Sequence, residues 1–168
     1  MLKAARIVAG EEDMEIAVAV APTLQERYFE AFYDLHGVHL IKGASYEVME
    51  HADFALVTSG TATLETGLFG TPMVVVYKTS WPTYLIGRML IRVKNIGLVN
   101  IVAGKQIVPE LIQHRATAAN LAKEALEILR SERLLATIKE ELSKVKGRLG
   151  EIGASRRVAE RILQAASI

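Results

Sequence analysis

Short apolar runs alternate along the chain with segments whose apolar positions recur every three or four residues. Runs bounded by proline, glycine or serine read as strands, and the three-to-four periodicity reads as helix. "EIAVAVAP" (15–22) is a Val/Ala-rich strand closed by Pro22, and "TLQERYFEAFYDLHG" (23–37) follows as a helix with Thr23 as N-cap and Gly37 as its stop. "VHLIKG" is a short strand, "SYEVMEHA" a short helix capped by Ser45, and "DFALVTS" another strand. "GTATLETGLFG" then reads as a helix ended by Gly70, and "TPMVVVYK" as a strand. Strands apolar on both faces that alternate with helices predict a doubly wound α/β layer with a parallel sheet.

"IGLVNIVAG" (96–104) predicts one more strand and "VPELIQ" (108–113) a short helix opening at Pro109. Beyond them the pattern is wholly helical. Leu121, Ala122, Ala125, Leu126 and Leu129 share one face, and Leu135, Ile138, Leu142, Val145 and Leu149 recur at steps of three and four. Gly150 and Gly153 interrupt this run before a last amphipathic helix, "ASRRVAERILQAA". The expected organisation is therefore a Rossmann-like domain over 1–115 and a C-terminal helical segment over 116–168, packing on the sheet, on another domain or on a partner subunit. The opening "MLKAARIVAGEEDMEI" reads as a helix without a strand of its own before it, whereas such domains begin with a strand whose loop meets phosphate. The expectation is that the first strand is missing, because the chain is a fragment or because a partner supplies it.

Composition narrows the chemistry. With no cysteine there is no disulfide framework, thiolate metal site or cysteine nucleophile. His36, His39, His51 and His114 are scattered without metal-ligand spacing, so no metal is assigned. The net charge is +1, yet residues 1–60 carry ten acids against four Lys or Arg. Residues 78–115 carry Lys78, Arg88, Arg92, Lys94, Lys105 and Arg115 against the lone acid Glu110, which marks an anion-facing or membrane-facing stretch. No apolar run approaches the roughly 18 residues that span a bilayer. A cytoplasmic protein, soluble or peripheral, is expected.

The densest chemistry lies in "LVTSGTATLE" (56–65). The carboxyl end of a strand followed by a helix N-terminus is where open α/β sheets bind ligands, because unsatisfied N–H groups and the helix dipole face outward there. Ser59, Gly60, Thr61, Ala62 and Thr63 are small enough to admit a phosphate, and their hydroxyls add donors. Glu65, one turn on, would repel phosphate but could accept from both hydroxyls of a ribose. The plainer alternative is that Ser59 or Thr61 caps the helix and Glu65 complements its dipole. Neither GxGxxG nor a P-loop is present.

"ADFALVTSGTATLETGLFGTPMVVVYK", "NIVAGKQIVPELIQ" and the closing helices resemble the C-terminal half of the lipid-A-disaccharide synthases, glycosyltransferases of the GT-B type. The resemblance runs over essentially the whole chain, and two blocks carry it, SGTATLE and NxxAGxxxVPELxQ. It implies a donor-binding domain of an enzyme that joins UDP-diacylglucosamine to diacylglucosamine 1-phosphate and releases UDP, with no metal or other cofactor. By the same resemblance Glu65 contacts ribose, Ser59, Gly60, Thr61 and Thr63 line the diphosphate, and Asn100 and Gly104 belong to a loop that closes on it.

Two departures accompany the likeness. The family's glycine-serine-arginine motif is missing, as is the N-terminal domain with its expected general base, so no catalytic residue is assigned here and the chain alone is expected to be inactive. The segment "WPTYLIGRMLIRVKN" gains a role from acylated substrates. Trp81, Tyr84, Leu85, Arg88, Met89 and Arg92 are candidates for acyl or membrane contact, against the alternative of a core helix whose basic ends reach solvent. The family also suggests a homodimer with exchanged C-terminal parts; a peripheral place on the inner membrane and no nucleic-acid partner are expected. Two other readings stay open: a noncatalytic nucleotide-sugar-binding module, and half of another GT-B enzyme acting on a UDP-sugar.

Overall fold

Alternating strand and helix patterns give the expected class. The computed structural model describes residues 1–25, 27–29, 33–80, 95–150 and 153–166. Strand β1 (Ile16–Val20) pairs in parallel with β2 (Val38–Lys42), Ile16 lying opposite Val38. A second parallel sheet has the order β3 (Ala55–Thr58), β4 (Met73–Tyr77), β5 (Glu110–Ile112), with Ala55 opposite Met73 and Val75 opposite Glu110. Central β4 buries Met73, Val74, Val75 and Val76, as a strand covered on both faces must.

The helices are α1 (Leu2–Glu11), α2 (Ser45–His51), α3 (Thr61–Phe69), α4 (Leu98–Ala103), α5 (Ala118–Leu129), α6 (Glu132–Arg148) and α7 (Ala154–Ala166). Helix α5 packs against α1 and β4, burying Leu121, Ala122, Ala125 and Ile128. Helix α6 packs against α3 and α4 through Ile138, Leu142 and Val145. Caps hold both starts, since the Thr117 and Ser131 hydroxyls accept from the Asn120 and Leu134 amides at 3.2 Å. Arg130, at the end of α5, bridges Glu11 and Glu12 at 2.7 Å and so joins α5 to α1. Helix α7 leaves Val158, Ile162 and Leu163 exposed. Among the described residues no helix is long and apolar enough to cross a membrane.

Three local expectations are corrected. "LVNIVA" is helix α4, not a strand: it buries Val99, Asn100 and Ala103 and exposes Ile101, a three-to-four pattern that tertiary packing imposes despite β-favouring side chains. "ELI" is strand β5, not a helix. Pro109 has no N–H to give, but its carbonyl accepts from the Val75 amide at 2.9 Å and so begins the pairing with β4. Ala44, not Ser45, occupies the cap position of α2. The helix expected over 23–37 falls partly outside the described residues.

Candidate functional site

The turn between β3 and α3 lies at the carboxyl edge of the three-stranded sheet. The Ser59 amide donates to the Val76 carbonyl at 2.8 Å, carrying the pairing one residue past β3. Gly60 then takes φ +154°, a conformation open essentially to glycine, and serves as N-cap of α3 without any side-chain cap bond. The capping alternative is thereby overturned. The Ser59 hydroxyl donates across to the Ile96 carbonyl at 2.9 Å, and the Thr63 hydroxyl donates back to the Gly60 carbonyl at 2.8 Å. With no side chain capping it, the first turn of α3 presents its backbone donors and the positive end of its dipole at the edge. Thr61 is exposed there, and half-buried Glu65, four residues on, shares its helix face. Thr63 is fully buried, and its hydroxyl braces the turn instead of facing the edge.

The second block folds against this turn from within. Asn100 is 0% exposed, and its carboxamide is saturated. Nδ2 donates to the Val108 carbonyl at 2.9 Å and to Glu110 Oε1 at 2.8 Å, while Oδ1 accepts from the Ile107 and Val108 amides at 2.8 and 3.1 Å. A carboxamide has two donors and two acceptor positions, so none remains to meet a phosphate. Asn100 holds the 104–108 loop in shape, so any part it has in a loop that closes on diphosphate runs through that loop and not through its own carboxamide. Gly104 ends α4 in a left-handed conformation, φ +71°, and its neighbour is Arg148, whose guanidinium donates to the Val102 and Ala103 carbonyls at 3.0 and 2.7 Å. Six residues of helix put Gly104 about 9 Å from the start of α4, which follows the Ile96 carbonyl that Ser59 meets.

Sequence reading passed over the groups that tie these pieces together. Glu110, 8% exposed, accepts from the Ile96 and Gly97 amides, both at 2.9 Å, besides Asn100. A Cβ at Gly97 would stand 3.1 Å from Glu110 Oε1 and 3.2 Å from Val75 Cγ2, so the backbone passes where a side chain would crowd. Gln113, 5% exposed, donates from Nε2 to the Thr79 carbonyl at 3.1 Å and accepts from the Thr79 amide at 3.0 Å. It does so at φ +50°, which costs a non-glycine residue roughly 1–2 kcal/mol. The available signal was slight: Glu110 is the one acid of a basic stretch and sits in an apolar strand. Trp81, Tyr84, Leu85, Arg88, Met89 and Arg92 lie outside the described residues.

Comparison with known proteins bears on the same blocks. Residues 1–165 match the family model described as lipid-A-disaccharide synthetase. The chain is 50% identical over 163 residues to a lipid-A-disaccharide synthase of Syntrophus aciditrophicus, covering 95% of this chain and 43% of that protein. It is 44% identical over 167 residues to the Anaeromyxobacter dehalogenans protein of that name, covering 97% and 44%, and 36% identical over 167 residues to that of Myxococcus xanthus, covering 98% and 44%. The chain thus spans less than half the length of these curated relatives. A match over nearly every residue, on a parallel α/β fold with the SGTATLE turn at its carboxyl edge, establishes that the chain belongs to the lipid-A-disaccharide synthetase family, glycosyltransferases of lipid A biosynthesis.

Proposed function

We propose that this chain is the donor-nucleotide portion of a lipid-A-disaccharide synthase. In this reading it holds UDP-diacylglucosamine while the sugar is transferred to diacylglucosamine 1-phosphate, forming the lipid disaccharide and releasing UDP. The carrying observation is the β3–α3 turn, where Gly60 at φ +154° leaves the start of α3 without a side-chain cap and places Glu65 one turn along the same face as Thr61. Diphosphate sits against the Gly60–Ala62 backbone and Thr61, whose donors stabilise the charge that grows on the UDP leaving group. Glu65 accepts from the ribose diol; Ser59 and Thr63 brace the turn. Asn100 and Gly104 act through the loop between them and the sheet.

Deprotonation of the acceptor hydroxyl is assigned to groups outside these residues, so the 168-residue chain alone binds donor without turning it over. The nucleotide-binding unit is residues 1–115, and the helices over 116–168 complete it. The exposed apolar face of α7 supports packing on the remainder of the full-length enzyme or on a second copy. Trp81, Tyr84, Leu85, Arg88, Met89 and Arg92 supply the acyl or inner-membrane contact.

Calorimetric titration with UDP tests the reading. Hydrogen bonds to a charged acceptor contribute about 1.5–3 kcal/mol, so Glu65→Ala weakens UDP binding roughly 10- to 100-fold. UDP binding that Glu65→Ala leaves unchanged, or no binding by either protein, refutes it.

A further inference from the structure

The side chains of one short strand and the residue after it reach the two loops that flank the β3–α3 turn. From β5, Glu110 holds the Ile96 and Gly97 amides at 2.9 Å, and the Ile96 carbonyl in turn receives the Ser59 hydroxyl at 2.9 Å. One residue past β5, Gln113 clasps both backbone groups of Thr79, two residues beyond the end of β4. The edge that carries Ser59, Gly60 and Thr61 is therefore bounded by two backbone segments, and each is set by a buried polar group.

Both groups are costly choices for packing alone. Removing a carboxylate from water is strongly unfavourable unless its oxygens are satisfied, and among the described residues the donors are two backbone amides and a carboxamide. A hydrophobic residue of similar volume would fill the space without that cost, but it could not fix the Ile96–Gly97 amides. Gln113 likewise accepts a left-handed backbone where glycine would sit without strain, and the amide lock on Thr79 is what it gains.

We infer that Glu110 and Gln113 are positioning residues for the nucleotide edge, holding the Ile96–Gly97 and Thr79 backbone so that the Ser59–Thr61 turn is preorganised for a nucleoside diphosphate. This rests on the donor-site reading above and adds to it two residues that make no ligand contact themselves. Their effect on affinity comes from pre-ordering the edge, so that binding does not have to order it.

The test uses the 168-residue chain with Glu110→Gln, which keeps the shape but turns an N–H toward a donor, and Gln113→Gly, which relieves the left-handed backbone while removing the lock. Ile128→Val, in the core of α5, serves as a variant that lowers stability away from the edge. Amide hydrogen exchange and UDP calorimetry are read under conditions where every variant is folded. Exchange at Ile96 and Gly97 in Glu110→Gln, and at Thr79 in Gln113→Gly, rises about tenfold or more while β3 and β4 amides hold. UDP affinity falls about tenfold in both, and Ile128→Val moves neither readout. Gln113→Gly separates the roles, because a purely structural residue relieved of strain would leave affinity unchanged. Unaltered exchange at those amides, or unaltered UDP affinity in both variants beside a parent chain that binds, overturns this inference alone. A parent chain that does not bind UDP overturns the donor reading and this inference with it.

Discussion

Gly67 lies where helices α3, α4 and α6 meet, and replacing it with alanine sets two opposed terms against each other. Alanine in a helix interior is favoured over glycine by about 1 kcal/mol. Against that, a Cβ at Gly67 would stand 2.8 Å from Val99 Cγ2 and 3.3 Å from Leu142 Cδ2. Ordinary carbon contacts begin near 3.5 Å, so α3 and α4 must part by about 0.7 Å or the valine must turn. Turning is unfavourable, because a helical valine has one strongly preferred rotamer and Val99 is fully buried. Overpacking of this kind costs about 1–3 kcal/mol, and the absence of an easy escape puts Gly67 toward the upper end. The net expectation is a loss of about 1–2 kcal/mol, which for a chain of this size lowers Tm by roughly 2–8 °C. Urea unfolding followed by far-UV circular dichroism measures it. Val99→Ala makes room, so the double variant should be less destabilised than the two single changes summed, with a coupling of about 1 kcal/mol. A Gly67→Ala protein as stable as the parent, or strictly additive effects, refutes the close crossing.

Asn100→Asp places a second carboxylate 2.8 Å from the present partner Glu110 and removes two donors, so it should destabilise by about 3 kcal/mol or more; urea unfolding of the variant beside the parent checks this, and equal midpoints would refute it. Lys105 first, and Lys144 with it, hold the Glu141 carboxyl down to about 2 from its usual 4.5. Its folded value lies below the unfolded one, so the stabilisation is full above about 4.5 and is lost as pH falls from there toward 2. Melting temperatures across that window should fall less steeply in Glu141→Gln, and parallel slopes would count against the linkage.

The pattern of apolar runs was sufficient for the class of fold because it depends on averages over many residues. Four strands and the long C-terminal helices follow from it directly. It failed over "LVNIVA" and "VPELIQ", and for one physical reason. In both, contacts with the rest of the fold override local preference: α4 packs on α3 and α6 and is tied through Asn100 to Val108 and Glu110, and Pro109 joins β4 through the hydrogen bond from Val75 to its carbonyl. Such bonds leave no periodic trace. Charge counting likewise marked Glu110 as the exception in a basic stretch without showing that it faces the Ile96 and Gly97 amides.

The same reason explains why the two signature blocks contain more polar residues than a ligand could contact. In SGTATLE the Ser59 and Thr63 hydroxyls are committed to the Ile96 and Gly60 carbonyls, which leaves Gly60, Thr61 and Glu65 toward solvent. In the second block Asn100, Glu110 and Gln113 are all turned inward. Affinity for a diphosphate depends on backbone donors being held in place before the ligand arrives, and each donor so held needs a partner for the loop that carries it. On the proposed donor reading the blocks would encode a site in two layers, a small outer layer to meet the nucleotide and a larger inner one to fix its geometry. Substitutions in the inner layer should therefore act on affinity and stability together, and those at Thr61 or Glu65 on affinity alone.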